Sequence, residues 1–419
     1  MSKKDAARLA GDFLLRHGMH VDRIDREKEL EKLLGEMEKV RRGGEGSVKM
    51  IPTYIGTFRA PEAPMEVTVI DIGGTNVRAA RATILPDGEI RFGPVTSFLT
   101  PGVSSAVDTA GFYGEIARRC RGALGTGQTG ICFSLATIPD RDRDAVMVAG
   151  GKQIRITDML GKKVGESFRA AMAAEGLGSD EKITVINDTV AAALGGAAGA
   201  AGGGGPEIGF IYGTGTNICF REPSGEIVNV ESGAYTGFPT GDIDALYDQG
   251  LIDTGQDTFE KMVSGGYQGG LMEKILETAV REDILPAQGY ETLFAAGPIT
   301  SKDISAFSLA PSGSGRIAAA FTRQEDRDFL EALFDLVTER SACLCAITIT
   351  AAMCRAEVSA GAPARITAEG STYLKQKDFA AKLQAQLDAL AGEAHGLSWE
   401  IGTVENAVFR GIAASCLSS

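Results

Sequence analysis

One four-residue turn occurs twice in this chain. Gly74-Thr75-Asn76-Val77 lies between the apolar runs VTVIDI and VRAARATIL, and Gly215-Thr216-Asn217-Ile218 lies inside IGFIYGTGTNICF. Apolar runs joined by Gly-Thr-Asn chemistry read as β-hairpins. A hairpin repeated so far along the chain predicts two similar α/β lobes, one led by each copy. Glycine lets backbone amides approach an anion closely and threonine adds a hydroxyl donor. Two such tips, facing each other across a cleft, would grip one polyphosphate from both sides.

Length agrees with two lobes. At 419 residues the chain exceeds a single core, given roughly 100–200 residues per domain. We expect a helical segment over 1–60, a small α/β domain over 61–194 and a large one over 195–419, with the C-terminal helix able to pack back on the small domain. The net charge of -13 excludes non-specific binding to nucleic acid or anionic membranes, which needs basic patches. A phosphate ligand must therefore be held locally, by backbone N–H groups and a metal. Seven scattered cysteines without a framework spacing read as buried free thiols in a reducing compartment. The N-terminus lacks a signal-peptide pattern, and no apolar stretch nears the ~20 residues that span a bilayer. The expectation is a soluble, cytoplasmic protein; a homodimer stays open.

Between the hairpins the pattern alternates. Asp5 to about Val40 is helical, RRGGEGSVKM is a loop, and TGICFSLA and KITVIND are strands. TDMLGKKVGESFRAAMAA is a helix and AALGGAAGAAGGGG a flexible low-complexity loop. From Gln256 onward helical patterns dominate, with a short strand at ARITAEGS.

Chemistry collects at the strand ends. Asp71 closes the strand before Gly73, Gly74, Thr75 and Asn76, where it can hold Mg²⁺, directly or through water, beside the phosphates of ATP. Gly213, Thr214 and Gly215 form the matching second tip. Neither GxxxxGK[ST] nor a strand-linked GxGxxG is present, so the P-loop and Rossmann readings lack their motif. The strand Val185-Ile186 delivers Asn187-Asp188. Either Asp188 or Thr189 only caps the next helix, or Asp188 is a base. The three histidines (His17, His20, His395) lie outside every motif, so proton abstraction falls to a carboxylate, and Asp188 is best placed. Ser134, Lys152, Glu231 and Glu260 are polar residues that, taken singly, read more readily as surface or cap positions.

Together IDIGGTNVR, VINDTV, IGFIYGTGTNICF, NVESGAYTG, DTFEKMVSGGYQG and AEGSTY resemble the hexokinase family, in the family's order, over roughly Val67 to Lys375. The resemblance implies an actin-like (ribonuclease H-like) fold of two α/β domains around a cleft that closes on sugar. It implies phosphorylation of a hexose, glucose or mannose foremost, at its 6-hydroxyl by ATP with Mg²⁺, and Asp188 as the base. It implies hexose contacts from Ser134, Lys152, Asn187, Asn217, Glu231 and Glu260, and nucleotide contacts from Asp71, Thr75, Thr214, Gly370 and Ser371. Departures cluster on the sugar side: Ser134-Leu135-Ala136 replaces Ser-Phe-Pro, Gly151 replaces a threonine before Lys152, and Ser232 replaces a tryptophan after Glu231. Two rivals share the fold, a kinase for another sugar and a sugar-sensing regulator without turnover. The regulator is disfavoured because Asp71, Asp188 and both hairpins are intact. An actin-like scaffold would leave Asn187-Asp188 and Glu231/Glu260 without a purpose.

Overall fold

The structure is a computed structural model and describes residues 2–150, 154–178, 180–198 and 205–418. The stretch read as helical over 5–40 is two helices, α1 (Lys3–Arg16) and α2 (Arg26–Arg41). The break has local causes. Gly18 takes φ 68° after the first helix, and Asp25 accepts from Lys28 N to start the second. Both helices lie on the long helix Gln324–Arg355. A two-residue strand, β1 (Ile51–Pro52), follows.

The first hairpin is β2 (Met65–Ile72) and β3 (Asn76–Ile84), antiparallel, with Asp71 directly opposite Arg78. β4 (Ile90–Phe92) and β5 (Thr96–Leu99) pair with β3. Helix α3 (Thr109–Cys120) leads to β6 (Gln128–Phe133), parallel to β2. A separate small hairpin, β7 (Thr137–Pro139) and β8 (Ala145–Met147), precedes α4 (Val164–Ala174) and β9 (Lys182–Ile186), which is parallel to β6. α4 is shorter than the sequence pattern suggested. The residues before it make other bonds: Asp158 accepts from Thr109 N and Oγ1 at the head of α3, and Lys162 O accepts from Met147 N. Helix α5 (Asp188–Ala197) leaves the end of β9.

The second sheet repeats the first. β10 (Glu207–Tyr212), β11 (Thr216–Arg221) and β12 (Ile227–Asn229) are antiparallel neighbours, and β1 joins β12 at the edge. A helical excursion follows: α6 (Asp242–Gln249), α7 (Thr258–Val263), α8 (Gly265–Arg281), α9 (Ala287–Ala295), α10 (Ser301–Leu309), α11 (Arg316–Ala320) and α12 (Gln324–Arg355). β13 (Ala364–Glu369) then adds parallel to β10. After α13 (Ser371–Lys375) and α14 (Phe379–Leu387), β14 (Trp399–Gly402) adds parallel to β13. The orders β4-β3-β2-β6-β9 and β12-β11-β10-β13-β14 are one topology used twice, as the repeated turn required.

The final helix, α15 (Ala407–Ser415), and α5 exchange sheets. α5 follows the small sheet but packs on β10 and β13; α15 follows the large sheet but packs on β2 and β6. Sequence explains why both faces of β2 are apolar. Ile70 and Ile72 enter the core under α3 and α4, while Val67 and Val69 enter the core with α15. The helices also cross each other closely. A Cβ on Gly195 would overlap Ala407 O, and one on Gly411 would overlap Ala191 O. Hence the run read as a flexible loop is, through Ala197, the buried second half of α5. Its small residues allow helix contact; positions 199–204 of the run lie outside the described residues.

Gly411→Ala is expected to destabilise the protein by roughly 1–3 kcal/mol, the usual cost of overpacking a filled core. Denaturant unfolding measures it; an unchanged midpoint would contradict the close crossing.

Candidate active site

Strand β9 ends at Ile186, and the next residue turns the chain. Asn187 Oδ1 accepts from Thr189 N (2.9 Å) and Val190 N (3.1 Å), so Asn187 is the N-cap of α5. This corrects the capping reading of Asp188 and Thr189. Asp188 is the first helical residue, and its carboxylate accepts from Thr189 Oγ1 at 3.3 Å. Burial raises the Asp188 pKa above the usual carboxylate value, the nearby Asp71 charge raises it further, and the Thr189 hydrogen bonds oppose both.

Asp188 opens into a cavity of about 800 Å³ between the two sheets. Ser134, just past the end of β6, and Leu135-Ala136 line one wall; Gly215, Thr216, Asn217, Asn229 and Glu231 line the other, and Asp257 and Glu260 enter from the head of α7. Of the hexose residues expected from sequence, Ser134, Asn187, Asn217, Glu231 and Glu260 thus meet around Asp188. Lys152 and Gly151 lie outside the described residues.

The second wall is a hydrogen-bonded relay. Asn217 Nδ2 donates to Asn229 Oδ1 (2.9 Å), and Asn229 Nδ2 donates to Glu231 Oε1 (2.6 Å). Ser232 is buried, and its amide donates to Asn217 Oδ1 (3.2 Å). Burial raises the Glu231 pKa; the Asn229 bond works against that, while the Asp188 and Asp257 charges add to it. Thr216 N donates to Glu260 Oε2 (3.0 Å). Gly215 makes that possible, because a Cβ there would stand 2.5 Å from the same oxygen. Glu231 (φ 52°) and Asp257 (φ 48°) both hold left-handed backbone, uncommon for such residues.

Of the expected nucleotide residues, Gly215 lines this cavity and the others are not among its lining residues. Gly213 O accepts from Gly265 N (2.8 Å) and Thr372 Oγ1 (2.9 Å), and Thr214 O accepts from Gly266 N (2.9 Å). Gly370, at φ 121°, abuts Gly213, and Ser371 begins α13. These bonds bring Gly213, Thr214, Gly370 and Ser371 together. At the other tip, Gly73 N donates to Asn76 O, Thr100 Oγ1 donates to Gly73 O, and Thr100 N donates to Thr75 O; Gly74 completes the turn. Asp71 is held by Arg78 Nη2 (2.7 Å) and Nε (3.1 Å), and the guanidinium lies 5.0 Å from the Phe409 ring of α15. Among the described residues, no group of three or more His, Cys, Asp or Glu is placed to hold a metal.

Four residues escaped the sequence reading. Lys49 and Asn229 line the cavity, but Lys49 sat in a segment taken as a loop, and Asn229 opened the motif NVESGAYTG without being assigned a contact. Asp257 opened the motif DTFEKMVSGGYQG without being assigned a role. Arg78 was findable: counted outward from the Gly-Gly-Thr tip, hairpin register sets it opposite Asp71.

A family model described as Hexokinase matches residues 207–418, and a second so described matches 16–198. Hexokinase-2 of Equus caballus is 27% identical over 372 residues, covering 81% of this chain and 40% of the relative. Hexokinase-2 of Homo sapiens is 26% identical over 395 residues, covering 85% and 42%. The chain therefore spans about two fifths of the curated relatives it matches. A hexokinase of Schistosoma mansoni complexed with glucose superposes with a TM-score of 0.77 at 20% identity, covering 100% of both chains. A glucokinase of Streptomyces griseus in complex with glucose and AMPPNP gives 0.52 at 18% identity, covering 84% of this chain and 99% of that one.

Gly215→Ala is expected to push Glu260 off the Thr216 amide while leaving the melting temperature nearly unchanged, since the clash is with the far end of a side chain. Calorimetry should find hexose affinity lowered about tenfold or more, the scale of one lost charge-assisted hydrogen bond; unchanged affinity would separate Glu260 from ligand binding.

Proposed function

The chain belongs to the hexokinase family, and on that premise we propose that it transfers the terminal phosphoryl group of ATP to the 6-hydroxyl of a hexose, glucose or mannose foremost, with Asp188 as the base. One observation carries the reading: five expected sugar-contact residues and Asp188 line a single cavity, which Gly215 and Thr216 of the second Gly-Thr hairpin also line.

The roles follow from the chemistry of each side chain. A hexose is neutral and rich in hydroxyl donors, so the carboxylates of Glu231 and Glu260 and the carbonyl oxygens of asparagine suit it as acceptors. Asn187 already commits Oδ1 to the cap, so it would meet sugar through its NH₂. Backbone amides and hydroxyls at Gly73–Asn76, Gly213–Gly215, Gly370 and Ser371 would hold the phosphates of ATP. The donor set suits Mg²⁺ carried in by the nucleotide: Asp71 is one carboxylate whose Oδ2 is engaged by Arg78, and Mg²⁺ commonly binds through one carboxylate, water and substrate phosphates. There the ion would neutralise charge on the β- and γ-phosphates. Asp188 then orients the 6-hydroxyl and accepts its proton as the oxygen attacks phosphorus. Closure of the lobes over bound sugar would keep water from taking the hydroxyl's place.

Asp188→Ala and Asp188→Asn are each expected to lower kcat by about 10²–10⁴-fold, with ATP affinity retained. Because Asn187 supplies the cap, neither variant should lose cap stability. An active Asn variant would overturn the base assignment.

The base works only when ionised, and its pKa is raised. The acid limb of kcat/KM should therefore lie above the ordinary aspartate value of about 3.9, with activity falling as pH drops through it. A limb at or below that value would mean another group takes the proton.

A further inference from the structure

Lys261 follows Glu260 directly, yet its side chain turns away from the cavity. Its ammonium is buried, with 3% of the side chain exposed, and lies 2.6 Å from Asp248 Oδ1. It also donates to Asp253 O at 2.6 Å, and Asp253 Oδ1 stands 3.3 Å away. Asp248 lies in the last turn of α6, and Asp253 lies midway along the loop from there to α7. The second oxygen of Asp248 takes Gly255 N at 2.8 Å, and Thr254 Oγ1 donates to Leu251 O at 2.7 Å. One cation on α7 thus gathers the start and the middle of the 248–257 segment.

That segment has little else to hold it. Ile252 is fully exposed, and Thr254, Gly255 and Gln256 are exposed, so hydrophobic burial contributes little to its order. Yet it ends at Asp257, a left-handed residue that lines the cavity, three positions before Glu260. A residue in that conformation keeps it only when its surroundings over-determine it.

We propose that Lys261 is a positioning residue for the hexose site: its buried ammonium ties the 248–257 segment to α7 and so fixes the carboxylates of Asp257 and Glu260. The proposal rests on the reading of this cavity as the hexose site. A buried ammonium is costly to retain without its partners, and three oxygens converging on it fix the segment in one arrangement. The ammonium's own partners are Asp248 and Asp253, neither of them a residue of the nucleotide tips, and of those tips Gly215 alone abuts Glu260, so its loss bears more on sugar than on ATP.

The test compares Lys261→Met and the milder Asp248→Asn with the unmodified enzyme. Hydrogen exchange over 249–257 should quicken in both variants. The hexose KM should rise about tenfold or more in Lys261→Met, since small misplacements of binding groups cost that much, and by less in Asp248→Asn. The ATP KM should stay within about twofold. A merely structural lysine would lower the melting temperature and leave the ratio of the two Michaelis constants unmoved. Faster exchange with an unchanged hexose KM, in whichever variant folds, overturns the clamp alone. An unmodified chain that neither binds nor phosphorylates any hexose overturns the reading of the site beneath it.

Discussion

Two helices that cross almost backbone to backbone hold the sheets in one molecule. Gly195 and Gly411 present no side chain at the crossing, so α5 and α15 approach until each backbone occupies the space a Cβ would take on the other. Each helix has also changed sides and covers the apolar face of the sheet it does not belong to. Separating the sheets would therefore uncover both at once. The chemistry is attached to the same pair. Asp188 is the first residue of α5, and Phe409 of α15 lies beside the guanidinium that holds Asp71. The two carboxylates nearest the proposed phosphoryl transfer are set by one packing contact.

The electrostatics of the cavity are those of crowding. Asp188, Glu231, Asp257 and Glu260 share one space, and among the described lining residues Lys49 is the single cation. Burial and mutual repulsion raise the pKa values of Asp188 and Glu231. Hydrogen bonds from Asn229 and Thr189 temper the effect without cancelling it. Such a cavity favours a neutral ligand offering hydroxyl protons, and it disfavours an anion that brings no cation of its own. The polyphosphate reading of the hairpins is consistent with this, because of the tip residues Gly215 alone lines the acidic cavity.

Much of this was legible in the sequence, for identifiable reasons. The repeated turn revealed the doubled topology because hairpin chemistry is local: a Gly-Thr tip and its flanking strands lie within some twenty residues. Asn187-Asp188 was visible because a strand end followed by a helix start is also local. What escaped was set by distant contacts. Nothing near Lys49 says that β1 will pair with β12 and bring it to the cavity. The alanines and glycines after Asp188 look like a linker until α15 is laid against them. Asn187 and Asp188 competed for one cap, and which residue took it was decided by a single turn of backbone at the end of β9.

The exchanged helices also impose an order on how the chain acquires its shape. The strands of the small sheet leave the ribosome long before residues 407–415, and strands β10–β14 of the large sheet with helices α6–α14 lie between. Until then Val67, Val69 and Ile412's future partners on that sheet have one apolar face without its cover. The nascent small lobe is thus a surface for chaperones or for premature association. Its completion coincides with that of the large lobe, so assembly is all-or-none in time as well as in space.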